Sequence, residues 1–225
     1  MSTMNESSND GNGSTYESNS GGRGPQDGRE ELRGLLRAAT ADKPFNELYG
    51  VTFDHRGAIL VGDVLLDALQ ASGLGCEDFD MVGALTAAAV PLVDAMIHAA
   101  ARRGYDIDGF MMDFVYPSIK GPSIAHRRVV LLDAWLSEQS YVQTSSLVTL
   151  RNGNELSLDF SVVRHEDAEV VAIAALIGGS VQRSATDRSA SSHRVIKVID
   201  TIEDQSHEIP FVPAFTEDEL RGSAE

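Results

Sequence analysis

A chain of 225 residues, 42% of them hydrophobic, is long enough to bury one substantial core. Eighteen basic residues against thirty-four acidic ones give a formal charge of -16, which opposes nucleic acid and fits a well-solvated surface. The single cysteine, Cys76, leaves no intramolecular disulfide and no thiolate-rich metal site; with no secretory signal pattern and no apolar run near 18 residues, a cytoplasmic protein without membrane contact is expected.

Residues 1–28 are rich in Ser, Asn and Gly and almost free of aliphatics, so they cannot offset their ordering entropy by burial. They are predicted to form a disordered polar tail ahead of one folded domain over residues 29–221. From Glu30 to Ala41, Leu32, Leu35 and Leu36 recur at helical spacing, and Lys43-Pro44 marks the stop. Leu48 to Leu60 mixes β-branched and aromatic residues with Gly50 and Gly57, which predicts a hairpin-like element. Gly62 to Gly73 repeats apolar residues at Val64, Leu65, Ala68 and Leu69, the pattern of an amphipathic helix. A short strand, Phe79 to Val82, is expected to turn at Gly83 into a long alanine-rich helix. That helix ends near Gly104, where Arg102 and Arg103 complement its dipole.

Further strands are expected around Gly109 to Val115 and in the run from Arg127 through Leu136. Between Ser140 and Ser180 two readings compete. Asn152-Gly153 is a hairpin signal, yet Leu156, Phe160 and Val163 share one helical face; the favoured reading is a helix from about Glu155 to His165, capped by Asn154, feeding a buried strand Glu169 to Ile177. A peripheral strand is expected in "HRVIKVIDTIEDQ", and the aromatics of "HEIPFVPAFTEDELRG" should pack on the domain before Leu220. Strands alternating with helices imply an α/β sandwich with a mainly parallel sheet.

The chemistry concentrates in "RRVVLLDAWLSEQS". Four aliphatics followed by Asp133 read as a buried parallel strand carrying an acid to the carboxyl edge of the sheet, where α/β proteins bind ligands. A phosphate-cradling turn would next need small residues, hydroxyls and glycine, whereas Ala134, Trp135 and Leu136 follow. Trp135 either stacks on a ligand base or plugs the crevice. The six histidines show no metal-ligand spacing, the "HED" of His165 to Asp167 reads as a solvated turn, and no metal-ligating residues are assigned. "SGLGCE" precedes a strand and so is not a dinucleotide loop; Met111 and Met112 read as sheet core.

The order of these motifs resembles the type I phosphoribosyltransferase family, most closely its orotate-using members. The resemblance rests on "FDMVGALTAAAVPLVDAM", "SIKGPSIAHRRVVLLDA" and "EIPFVPAFTEDEL", and spans roughly Glu30 to Leu220. It implies a three-layer sandwich with a small hood built from both ends of the domain. It also implies a pyrophosphate loop containing Gly83, Thr86, Ala87 and Ala88, ahead of Pro91. In the family two adjacent acids hold the ribose hydroxyls and the next turn wraps the 5-phosphate; here Asp133 keeps the first acid and Ala134 takes the second position. Ser137, Ser140, or the turn of Arg151, Asn152, Gly153 and Asn154 would be a relocated phosphate cradle.

Where orotate-using members carry arginine, lysine and a basic loop, this chain reads Met111, Met112 and Asp113, and Lys120 falls at a non-catalytic position. Losing three or four charge-assisted contacts at about 1.5 kcal/mol each removes on the order of 5 to 6 kcal/mol, about four decades in binding or rate. The first expectation is therefore a divergent relative with lost or strongly reduced transferase activity, kept as a nucleotide-like ligand binder or interaction scaffold. The alternative is an active enzyme of pyrimidine nucleotide synthesis or salvage, converting orotate and phosphoribosyl diphosphate to orotidine monophosphate with Mg2+. The resemblance also implies a homodimer or pairing with a related subunit.

Overall fold

One mixed sheet of eight strands organises the chain. The computed structural model describes residues 24–45, 47–113, 118–136, 142–144, 147–149, 155–158, 163, 166–179, 194–200 and 205–222. Helices α1 (Pro25–Thr40), α2 (Tyr49–Thr52) and α3 (His55–Ala71) precede strand β1 (Met81–Ala84). A 3-10 turn (Ala87–Ala89) leads into α4 (Val90–Arg102), then β2 (Asp108–Met112), β3 (Ile119–Lys120) and β4 (Arg128–Leu136). The remaining strands are β5 (Val142–Thr144), β6 (Leu147–Thr149), β7 (Glu155–Leu158), β8 (Glu169–Gly178), β9 (Val195–Asp200) and β10 (Gln205–Thr216), and helix α5 (Glu217–Arg221) closes the described chain.

The sheet runs β3-β2-β1-β4-β8-β10-β9-β7, with β5 and β6 forming a separate pair. Strands β2, β1, β4, β8 and β10 are mutually parallel; β3 and β9 run antiparallel to their neighbours β2 and β10. A mixed α/β sandwich around a mainly parallel sheet is the architecture the alternation of elements predicts. The near-continuous apolar runs of β4 and β8 follow from burial on both faces. Val130, Leu132, Ala172 and Ala174 face the helices, packing on Leu32 and Leu36 of α1, Leu65 and Leu69 of α3, and Leu92 and Met96 of α4. Val129, Leu131, Ile173 and Ala175 face the other way, into a cluster with Phe110, Phe211, Ile124 and Val163. Each fully buried aliphatic contributes about 1.5–3 kcal/mol. Gly62 lets α3 and α4 cross closely, since a Cβ there would lie 2.1 Å from the Ala95 carbonyl oxygen.

Three sequence expectations are corrected. Residues 48–60 form α2 and the start of α3 rather than a hairpin: the Asp54 carboxylate accepts the N–H groups of Arg56 and Gly57 at 3.0 and 3.1 Å, satisfying helix donors that would otherwise be orphaned. The predicted helix from Glu155 begins instead as strand β7, paired with β9 from Glu155↔Lys197 to Leu158↔Asp200; Leu156 and Leu158 alternate at the strand period, and the ladder to β9 uses their backbone groups. Asn154, the proposed cap, lies outside the described residues. Gly83 is not a turn but the third residue of β1.

The closing segment is more regular than its prolines suggest. In β10, Gln205 to Pro210 pair with β9, whereas Phe211 to Thr216 pair with β8. Among the described residues the β9 pairing ends at Pro210, with the Phe211 N–H donating to the Arg194 carbonyl just beyond it, so Pro213 lies past the β9 ladder, where its missing N–H breaks no bond to β9. Thr216 and Glu219 form a reciprocal capping box at α5. Arg29 of α1 reaches the same corner, donating to the Ala214 carbonyl at 2.5 Å and to Glu219 at 3.1 Å, with its guanidinium 4.3 Å from the Phe215 ring centre. Both ends of the domain thus meet. Among the described residues no helix is long and apolar enough to cross a membrane.

Candidate functional site

Strand order reverses between β1 and β4. From β1 the chain crosses through α4 to β2 on one side, and after β4 it continues to β8 on the other. In an open parallel sheet such a switch point leaves a crevice at the carboxyl ends of the strands. Thr86, just past β1, and Asp133, near the end of β4, meet there: the Thr86 hydroxyl donates to Asp133 Oδ1 at 2.9 Å, and the Ala134 N–H donates to the same oxygen at 2.7 Å. Asp133 is only 4% exposed, and Thr52 is the other fully buried polar side chain among the described residues. A buried carboxylate is costly unless hydrogen-bonded, so these donors fix its position at the crevice floor.

The sequence-predicted residues separate into distinct roles. Gly83 is buried inside β1, and a Cβ there would stand 2.1 Å from the Phe110 ring on β2; this glycine makes room for core packing. Thr86 precedes the 3-10 turn, where Ala87 is exposed, Ala88 half-buried and Ala89 buried. The N-terminus of α4 has no side-chain cap; the Ala89 and Val90 N–H groups are taken by the Thr86 and Ala87 carbonyls of the 3-10 turn and Pro91 has none, so what α4 offers an anion here is the positive end of its dipole. Asp133, Thr86 and this turn are therefore brought together.

Trp135 leaves the crevice floor by another route. Its indole N–H donates to Glu217 of α5 at 2.7 Å, and its ring packs against the helix-side core. β4 does not turn after Ala134: Trp135 pairs with Ile177 and Leu136 with Gly178, and the Gly179 N–H donates to the Leu136 carbonyl at 2.8 Å. Arg151, Asn152, Gly153 and Asn154, with Ser137 and Ser140, lie outside the described residues. At the end of β2, Asp113 pairs with Lys120 of β3 at 3.3 Å, so an acid and its partner stand where the family resemblance places cations.

At the opposite end of the same strands Arg128 clamps β4 to the segment before β1. Its side chain donates to Asp80 Oδ1 at 2.9 Å and its N–H to Oδ2 at 2.9 Å; these two contacts hold the Asp80 carboxyl below its ordinary value. Sequence reading missed this clamp and the Glu217 contact with Trp135. No local signal marks either, because the partners lie 48 and 82 residues apart.

No protein-family model matches the chain. Individual relatives do. The orotate phosphoribosyltransferase of Streptomyces coelicolor is 31% identical over 180 residues, covering 77% of this chain and 80% of its own length. That of Streptomyces avermitilis is 34% identical over 137 residues, covering 58% of this chain and 65% of the relative. The solved Mycobacterium tuberculosis orotate phosphoribosyltransferase in complex with inorganic phosphate superimposes with a TM-score of 0.56 at 19% identity, covering 87% of this chain and 91% of that one. Sheet order, switch-point crevice and superposition define a type I phosphoribosyltransferase fold. With the Streptomyces coelicolor enzyme at 31% identity over most of both chains, this protein belongs to the orotate phosphoribosyltransferase family.

Proposed function

We propose that the β1–β4 crevice binds phosphoribosyl diphosphate and that the protein transfers its phosphoribosyl group to orotate, giving orotidine monophosphate and pyrophosphate. The observation that carries this reading is the Thr86–Asp133 hydrogen bond at the switch point, which holds a buried carboxylate where ribose hydroxyls would donate to it. The uncapped α4 N-terminus lies beside it for the diphosphate. The relatives named orotate phosphoribosyltransferase support turnover over a retained but silent fold. In the reaction the bond from the anomeric carbon to the diphosphate oxygen breaks, a bond to an orotate ring nitrogen forms as that nitrogen releases its proton to solvent, and charge grows on the departing pyrophosphate. Positive charge or a metal must stabilise it.

Mg2+ suits that task when it arrives on the ligand. It keeps several waters and is held by one or two carboxylates plus substrate phosphates. Among the described residues no three His, Cys, Asp or Glu gather to hold a metal, and Asp133 supplies one buried carboxylate. These residues fit a cation brought by the diphosphate, not one held by the protein alone. A homodimer or pairing with a related subunit belongs to the same reading.

A specific observation favours a second reading, a ligand binder or scaffold with strongly reduced turnover. Ala134 replaces the second acid, β4 stays extended where a phosphate turn is expected, and Asp113 engages Lys120. Orotate-dependent pyrophosphate release from phosphoribosyl diphosphate and Mg2+ separates the two. Turnover that disappears in Asp133→Asn supports the transferase; Mg2+-dependent binding without turnover supports the binder.

A further inference from the structure

The ion pair at the end of β2 stands closer to the crevice than its place near the edge of the sheet suggests. Lys120 on β3 is in register with Met111 on β2, and Met111 with Ala84, the last residue of β1. The β2–β3 ladder continues to the Asp113 N–H, which donates to the Ser118 carbonyl at 2.8 Å, so Asp113 and Lys120 are diagonal neighbours on one face. That face lies under α4. A Cβ at Gly109 would stand 2.5 Å from Ile97 and 2.6 Å from Val93, and Met111 and Asp113, two and four residues on, share its side.

From Gly109 to Asp113 the strand rises about 13 Å. α4 runs the other way at about 1.5 Å per residue, so this rise carries past Val90 to the level of the 3-10 turn, Ala87–Ala89. β2 lies one strand spacing from β1, about 4.8 Å. Lys120 Nζ, 3.3 Å from Asp113 Oδ2, therefore stands beside the turn that follows Thr86.

The neighbouring cations are placed differently. Arg102 and Arg103 end α4 and Arg128 begins β4, all at the opposite end of the strands, where they hold Asp63, Asp67 and Asp80. The two partners at the crevice are unequal in freedom: the Lys120 side chain is 59% exposed on a long flexible stem, and Asp113 is 17% exposed with its backbone in the ladder. An exposed pair of this kind is weak, and a diphosphate brings several negative charges against one carboxylate.

We propose that Lys120 is the protein's own cation for the diphosphate: Asp113 holds it at the crevice rim, and it passes to the diphosphate oxygens when the ligand binds. No bond or proton changes at the lysine; its ammonium group offsets the charge that grows on pyrophosphate as the anomeric C–O bond breaks. The inference rests on the transferase reading of the crevice and adds to it a cation that the family resemblance does not supply.

The test titrates the full chain with inorganic pyrophosphate and Mg2+ by calorimetry, so it needs no orotate turnover. Lys120→Gln is expected to weaken binding by about tenfold, Lys120→Arg to keep it within about threefold, and Asp113→Asn to strengthen it by about three- to tenfold. In the Lys120→Gln chain, Asp113→Asn is expected to gain about twofold or less, because no lysine is left to release. A pair that only braces β2 against β3 would lower the melting temperature in both variants without moving the two affinities in opposite directions. Unchanged affinity in Lys120→Gln, weakened affinity in Asp113→Asn, or no pyrophosphate binding to the wild type at millimolar concentration would overturn the proposal. The predicted order of affinities without orotate turnover would support Lys120 and fail the transferase reading alone; turnover with Lys120→Gln unchanged in affinity would fail Lys120 alone.

Discussion

The two strands that meet at the crevice end in opposite ways. β1 stops at Ala84 and passes through Thr86 and a 3-10 turn into α4, which leaves an uncapped helix N-terminus beside the buried acid. β4 runs on for three residues past Asp133, and its last residue is still paired to β8. Small residues allow the first strand to turn: Ala87, Ala88 and Ala89 have little to pack. Trp135 and Leu136 keep the second strand in the sheet because both side chains find apolar neighbours, and the indole N–H finds Glu217 as well. One half of the crevice keeps the form expected for an anion, while the other half has become core.

The sharpest way to break that contrast is to restore the second acid. Ala134 is 2% exposed and belongs to the helix-side core, so Ala134→Asp places a carboxylate in an apolar cluster. A loss of about 3–5 kcal/mol is expected, the cost of an uncompensated buried charge. Chemical denaturation checks it; a stable variant with improved diphosphate binding would mean that this end of β4 is open after all. Next in size, Asp133→Asn is expected to weaken phosphoribosyl diphosphate binding by about 10- to 100-fold, through charge-assisted contacts of about 1.5–3 kcal/mol, as read by calorimetry.

The role of Gly83 can be tested through stability. Gly83→Ala should destabilise by about 1–3 kcal/mol by forcing the Phe110 ring to move, and Phe110→Leu in the same chain should recover part of the loss. A phosphate-loop role for Gly83 would instead show as lost diphosphate binding at unchanged stability. Trp135→Phe, which removes the contact with Glu217, is expected to cost about 1 kcal/mol, or about 2–4 °C in melting temperature.

The smallest effect is in acid. Burial raises the Glu219 carboxyl but is outweighed by the Thr216 N–H, the Arg29 charge and the hydrogen bonds of Thr216 and Arg29, so it titrates below its ordinary 4.5; Arg128 lowers Asp80 below 3.8. A depressed acid contributes stability above its unfolded value and loses it as pH falls through the folded value. Stability should therefore begin to drop near pH 4, and the gap in melting temperature between wild type and Asp80→Asn should narrow below pH 3.8.

The sequence carried the centre of the fold clearly, because β4 and β8 are continuous apolar runs and α4 is bounded by Pro91 and Gly104. Asp133 was legible for the same reason: the run of aliphatics fixes which end of the strand it reaches. Residues 48–60 misled because two glycines suggested a hairpin, whereas the Asp54 cap decided for helix. Residues 155–158 fitted both periods, and only the pairing with β9 chooses between them. Gly83 looked like a loop glycine because Phe110, the side chain it accommodates, lies on another strand. The long prolines-and-aromatics segment became β10 because pairing with β9 ends at its first proline, Pro210, and its second, Pro213, pairs with β8.

The most direct measurement is calorimetry of phosphoribosyl diphosphate with Mg2+ on the wild type and Asp133→Asn, followed by orotate-dependent pyrophosphate release on the same preparations. Saturable, Mg2+-dependent binding and turnover in the wild type are expected, with binding weakened about 10- to 100-fold and turnover lost in Asp133→Asn. No binding at millimolar diphosphate, or binding unchanged by Asp133→Asn, would contradict a phosphoribosyl site built on Thr86 and Asp133.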